Sequence, residues 1–216
     1  MQLINALSIV LSLSAVSALP FAEQSKDAVV LGSSRSSHWS AHTEKSVVVA
    51  ADGPEPAGPA GWQESMLNYH NGWRAHHQVP PLTWNDTLAA AALNSARRCQ
   101  FALTPNNRYG ENIAAGTYTN PDWYGYMWYN GSLNYNYDRP GFSYQTGTFT
   151  QVVWKDTKQL GCAYVTRCPG GYPNMLFCEY SPAGNIIPDS NFAKQVFRPV
   201  ANPPLPSPPP MMSPKQ

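Results

Sequence analysis

Side chains able to do chemistry are sparse in this chain. It carries four cysteines, Cys99, Cys162, Cys168 and Cys178, and five histidines, His38, His42, His70, His76 and His77. No two cysteines form a C-x-x-C pair, which argues against a zinc ribbon or a thioredoxin-type redox centre. His76 and His77 are neighbours, and adjacent helical positions point about 100° apart, so they do not converge on one ion; they read as exposed histidines at a helix end. No G-x-S-x-G elbow presents a serine, and all four cysteines are better explained as bridged. An even cysteine count implies two disulfides with three connectivities open. Sequons at Asn85 (N-D-T) and Asn130 (N-G-S) are candidate glycan acceptors.

Compartment and charge narrow the field. Residues 3–15 form an apolar run too short to span a bilayer, followed by the small residues Val16, Ser17 and Ala18. That pattern predicts a signal peptide over 1–18 and a secreted, extracellular protein. No later run is apolar for long enough to cross a membrane. Fourteen basic and thirteen acidic residues give a net charge of +1, so nothing marks nucleic acid as a partner, and charge gives no reason for adhesion to anionic lipid.

The elements that must position any site lie between two tails. Residues 19–61 read as a disordered N-terminal tail, whose Gly- and Pro-rich end over 53–61 cannot sustain a helix or strand. Residues 198–216 read as an extended, Pro-rich spacer. The 62–197 interval has the size of one core. A first helix is expected over 62–74, with Met66, Tyr69 or His70, and Trp73 on one face. A second is expected over 86–99, capped by Asn85 and rich in alanine. A third starts at Asn120-Pro121-Asp122 and carries Trp123, Met127 and Trp128. Strand-like segments follow at 149–154, 160–165 and 174–180, the last two flanking Pro169-Gly170-Gly171. Folding that hairpin sets Cys162 opposite Cys178 and leaves Cys99 for Cys168. Helices first and strands later predict a layered α+β domain.

Several motifs carry a family resemblance. The run over 147–157 (G-T-F-T-Q-V-V-W-K-D-T) resembles the first signature of the CAP superfamily of cysteine-rich secretory, antigen 5 and pathogenesis-related 1 proteins. The run over 177–185 (F-C-E-Y-S-P-A-G-N) resembles its second. Gly110-Glu111-Asn112 is similar to the family's G-E-N, His70-Asn71-Gly72-Trp73-Arg74 to its H-N-x-x-R, and Leu82-Thr83-Trp84 with Leu88 to its L-x-W-x-x-x-L. The resemblance covers about 62–187 and is closest in type to fungal secreted, sterol-binding members. It implies a three-layer α-β-α sandwich, the SCP domain. It also implies a cleft with two His and two Glu, sometimes holding zinc. His70 and Glu111 match that set, whereas Thr148 stands where the signature has His and Gly131 where Glu is expected. A zinc site needs three or four ligands, so the expectation is a degenerate cleft without metal, cofactor or catalytic residue, in which His70 and Glu111 form a residual hydrogen-bonded pair.

A Tyr-rich segment stands beside the first signature. Tyr135, Tyr137 and Phe142 fit the aromatic pattern that the resemblance associates with a sterol-binding loop. A sterol is an apolar plate with one hydroxyl, and tyrosines supply ring faces with polar tips. The family also suggests a fatty-acid groove between the first and third helices, with Trp73, Met127 and Trp128 as lining. The expected function is therefore binding, export or sequestration of a sterol or fatty acid, in defence or virulence. The alternative is a secreted interaction module that engages an extracellular or host protein without a small ligand; a hydrolase ranks third.

Overall fold

The computed structural model describes residues 53–210. The signal peptide expected over 1–18, the tail through residue 52 with His38 and His42, and residues 211–216 lie outside the described residues. Asn85 starts the logic of the fold. Its side-chain oxygen accepts from the backbone N–H of Thr87 (2.8 Å) and Leu88 (3.2 Å), and so caps helix α2, Asp86–Ala96. Leu88, Ala92, Ser95 and Ala96 form the buried stripe of that helix. The stripe lies so close to the sheet that a Cβ on Gly161 would stand 2.3 Å from Ala89 N. Helix α2 ends three residues before the expected 99, and Cys99 has a positive φ of 52°.

The sheet has the order β1-β4-β5-β3, with β2 parallel to β4 and the other neighbours antiparallel. Its strands are β1 (Glu55–Pro56), β2 (Thr83–Trp84), β3 (Gly110–Gly116), β4 (Gln159–Thr166) and β5 (Asn174–Ser181). Strand β1 corrects the expectation for 53–61. Glu55 pairs with Thr166, and Ala57 N–H donates to Tyr164 O (2.9 Å), because β4 offers an open edge there. In the β4–β5 hairpin Cys162 pairs with Cys178, and these two are bridged, as are Cys99 and Cys168.

Helices α1 (Trp62–His76), α3 (Asp122–Tyr129), α4 (Gly147–Val152) and the short α5 (Phe192–Gln195) complete the set. Met66, His70 and Trp73 supply the buried face of α1. Asn120 Oδ1 accepts from Asp122 N–H (3.0 Å) where α3 begins. The strand-like pattern at 149–154 is helical instead. All six residues of α4 are buried, so no polar face exists for alternation to mark. Its β-branched residues are held by partners outside the helix: Thr150 Oγ1 donates to Asn185 Oδ1 (2.6 Å), and Asn185 Nδ2 donates to Gly147 O (2.8 Å). Tertiary context thus overrides local propensity. Gln151 Oε1 accepts from Gly184 N–H (2.9 Å), so residues of the two signature runs clasp one another.

Arg74 is wholly buried without a carboxylate among the partners it is seen to bond. Its guanidinium donates to the carbonyls of Pro80 (2.7 Å), Val152 (2.9 Å), Trp154 (2.8 Å) and Thr157 (2.9 Å), tying α1 to the loop after α4. Alternation along β3 and β5 sends Ala114, Leu176, Cys178 and Tyr180 toward α1, α3 and α4, and Ile113, Ala115, Met175 and Phe177 toward the α2 side. The result is a mixed sheet between two helical layers.

Candidate functional site

The four residues expected to share one cleft do not. His70 lies on the α1 side, with 0% exposure. Its Nδ1 donates to Met66 O (2.8 Å), which leaves Nε2 to accept from the Tyr180 hydroxyl (2.8 Å). Asn112 Nδ2 donates to that same hydroxyl (3.2 Å) and to Thr148 O (3.0 Å). Thr148 Oγ1 donates to Trp128 O (3.3 Å), and a Cβ at Gly131 would already stand 3.0 Å from Phe149 Cβ. Burial, the largest cause, pushes the imidazole of His70 down to about 4, so it is neutral and enclosed.

Glu111 points to the opposite face, because it precedes Asn112 on the same strand and successive side chains alternate. The expected His70–Glu111 pair is therefore corrected: the sheet separates them. Glu111 accepts from Thr104 N–H (2.8 Å) and the Thr104 hydroxyl (2.6 Å). Its neighbour in register is Glu179, which accepts from Asn107 Nδ2 (2.8 Å). Burial first, and then the charge of Glu111, pushes the carboxyl of Glu179 up to about 9. Glu179 was not singled out from the sequence, although it lies in the second signature; only the β3–β5 register brings it beside Glu111. Among the described residues no three His, Cys, Asp or Glu side chains gather in a metal-binding group.

A large apolar concavity lies elsewhere. A cavity of about 580 Å³ opens between α1, α3, the 3-10 turn Asn130–Asn134 and the C-terminal segment. Trp73, Tyr126, Tyr129, Leu133 and Tyr137 give it apolar and aromatic walls, and His76 and His77 contribute polar edges. Trp73 and Tyr129 stack at 5.2 Å between ring centroids. His77 is buried, against the expectation of an exposed histidine, because the chain end folds back over it. Its Nδ1 donates to Phe197 O (2.7 Å) and its Nε2 accepts from the Tyr129 hydroxyl (2.9 Å); burial pushes it down to about 4. Tyr137 Oη is buried and has no hydrogen-bond partner among the described residues.

The aromatic trio divides between two places. Tyr137 lines the cavity, whereas Tyr135 and Phe142 line a separate groove of about 370 Å³ with Asn136, Arg139 and Asp189. Tyr135 and Tyr137 meet edge to face at 4.8 Å, and Phe142 faces Phe192 at 6.4 Å. Of the suggested groove residues, Trp73 lines the cavity. Trp128 is core, with its indole N–H donating to Ile113 O (3.3 Å), and Met127 is absent from the lining. Tyr126, Tyr129, Leu133 and Leu205 were not singled out, since only the fold brings them together.

The C-terminal segment is not the free spacer expected. Val200 N–H donates to His76 O (2.9 Å), His76 Nδ1 donates to Pro203 O (2.9 Å), and Trp123 Nε1 donates to Pro210 O (3.4 Å). Arg198 pairs with Asp138 and lies over the Tyr137 ring. Of the two sequon asparagines, Asn130 is exposed at the cavity mouth, and Asn85 is half-buried at its cap.

The profile described as the Cysteine-rich secretory protein family matches residues 67–180. Protein PRY2 of Saccharomyces cerevisiae is 43% identical over 139 residues, covering 62% of this chain and 40% of that protein. Golgi-associated plant pathogenesis-related protein 1 of Homo sapiens is 32% identical over 149 residues, covering 64% of this chain and 94% of that protein. The chain spans 40%, 50% and 61% of the length of three such relatives, from yeast, Candida albicans and mouse. The solved structure of BmVAL-1 shares the fold, with a TM-score of 0.52 at 23% identity over 62% of this chain and 84% of that one.

Proposed function

The chain belongs to the cysteine-rich secretory protein family, and on that premise we propose that it is a secreted, non-catalytic carrier of an apolar lipid, a sterol or a fatty acid. The observation that carries this reading is the 580 Å³ cavity walled by Trp73, Tyr126, Tyr129, Leu133 and Tyr137. Lipid-sized ligands occupy pockets of about 300–1,000 Å³ with apolar walls and few polar groups. Here the polar edge is His76, which would meet a sterol hydroxyl or a fatty-acid carboxyl.

A non-catalytic role accords with the remaining polar groups. His70 is sealed at 0% exposure and lies across the sheet from the Glu111–Glu179 pair, so these acids and this base do not share an accessible space. Titration with a fluorescent sterol and a fluorescent fatty acid tests the reading. Saturable binding is expected for one of them, with Tyr137→Ala weakening it about tenfold, or ~1.4 kcal/mol. Phe142→Ala should leave it unchanged, since that ring belongs to the other groove. Binding that survives Tyr137→Ala and disappears in Phe142→Ala would move the site to the loop.

A further inference from the structure

Residues 203–210 read P-P-L-P-S-P-P-P. Proline has no N–H, so such a chain cannot join a sheet; its free carbonyls and ring faces suit donors set among aromatic side chains. The α1–α3 face offers that complement. His76 Nδ1 donates to Pro203 O (2.9 Å) at one end of the segment, and the Trp123 indole N–H to Pro210 O (3.4 Å) at the other. Between them, Pro206 and Ser207 line a shallow pocket together with Ser65, Asn68 and Tyr69. Gly72 is the seat of the middle proline: a Cβ there would stand 2.4 Å from Pro206 Cγ, so any larger residue would displace the segment. Pro209 is buried, whereas Leu205, which lines the cavity, is still 46% exposed. The contact is specific but shallow.

We propose that this face is a polyproline-recognition groove, that residues 203–210 are its ligand in cis, and that their docking closes the cavity. The segment supplies Leu205, Pro206, Ser207 and Pro208 to the cavity wall, so its release would widen the mouth. Docking is inexpensive in conformational entropy because proline-rich chain is already extended. Release is accessible because the hydrogen bonds at its two ends are solvent-exposed. The recognition claim stands alone; the closing claim rests on the lipid-carrier reading.

The experiment uses the full chain with Pro206→Asp and Pro209→Asp together, which places charge where prolines pack. A fluorescein-labelled peptide of residues 200–210 is titrated by anisotropy. The double variant should capture it at least about tenfold more tightly than the native chain, whose groove is already filled. Adding Trp123→Phe, which removes the indole N–H, should abolish the gain, and a glycine-serine peptide of equal length should not bind. Entry of a fluorescent fatty acid should also be about tenfold faster in the double variant. A folded double variant that captures no peptide overturns the groove. Captured peptide with unchanged lipid entry overturns the closing role, and failure of both the fluorescent fatty acid and a fluorescent sterol to bind either protein sinks the carrier reading while the peptide result still decides the groove. Should the double variant not fold, Trp123→Phe alone serves. A proline-specific endopeptidase should then cut within 203–210 several-fold faster than in the native chain, and an unchanged rate overturns the proposal.

Discussion

The two sides of the sheet solve packing in opposite ways. On the α2 side Ala92, Ala96, Ala115 and Ala163 pack among Ile113, Val165, Met175 and Phe177, and Gly161 lets helix backbone settle on strand backbone. On the other side Trp73, Tyr124, Trp128, Tyr129, Phe149 and Tyr164 build a deep aromatic layer. The α2 side borders a smaller cavity of about 220 Å³, beside Ala89, Ala90, Leu93 and Ala163, whereas the 580 Å³ cavity opens beside the aromatic layer. Each side also carries its own bridge, Cys99–Cys168 beside α2 and Cys162–Cys178 toward α1. Their protonation demands are opposed as well: neutral imidazoles on one side, a protonated carboxyl on the other.

The sharpest way to break this contrast is to add volume to the α2 side. Gly161→Val drives a side chain to within 2.3 Å of Ala89 N and 2.5 Å of Asn85 O, both backbone atoms that cannot step aside. A loss of about 3 kcal/mol or more is expected in urea unfolding, and an unchanged midpoint would show that α2 is not tightly seated. Arg74→Met on the aromatic side removes the donor to three buried carbonyls and a half-buried one, and stability should drop by about 3 kcal/mol.

Acid and alkali then separate the sides more gently. Burial lowers His70 and His77 from 6.5 to about 4. A lowered histidine contributes stability above its ordinary value and loses it as pH falls from 6.5 toward about 4. Glu179 is raised from 4.5 to about 9, so its contribution is whole below 4.5 and is lost as pH rises toward about 9. Glu179→Gln should remove the alkaline decline between pH 5 and pH 8 and leave the acid decline in place. A variant whose thermal stability still falls with alkali would locate the proton elsewhere.

Legibility in the sequence followed the same division. The capped, alanine-rich α2 and the β4–β5 hairpin declare themselves through local chemistry: Asn85, the alanine run, Gly170 and a cysteine on each strand. The aromatic side does not, since its spacing is set by the layer rather than by neighbours in the chain. Helix α4 looked like a strand because every one of its residues is buried and half of its partners lie 33 to 38 positions away. His70 and Glu111 looked like partners because motif order says nothing about which face of the sheet a residue takes. The cavity could not be read at all, for it is assembled from α1, α3, a 3-10 turn and a segment that composition alone marks as a spacer.

Asn85 has one more consequence. Its carboxamide oxygen holds the start of α2, and its Nδ2 donates to Gln159 Oε1 (3.0 Å), tying the helix cap to β4. A sugar on a sequon is carried by that same nitrogen, so a glycan on Asn85 would compete with the tie to β4. Asn130, exposed on its turn, has no such bond to give up among those seen here.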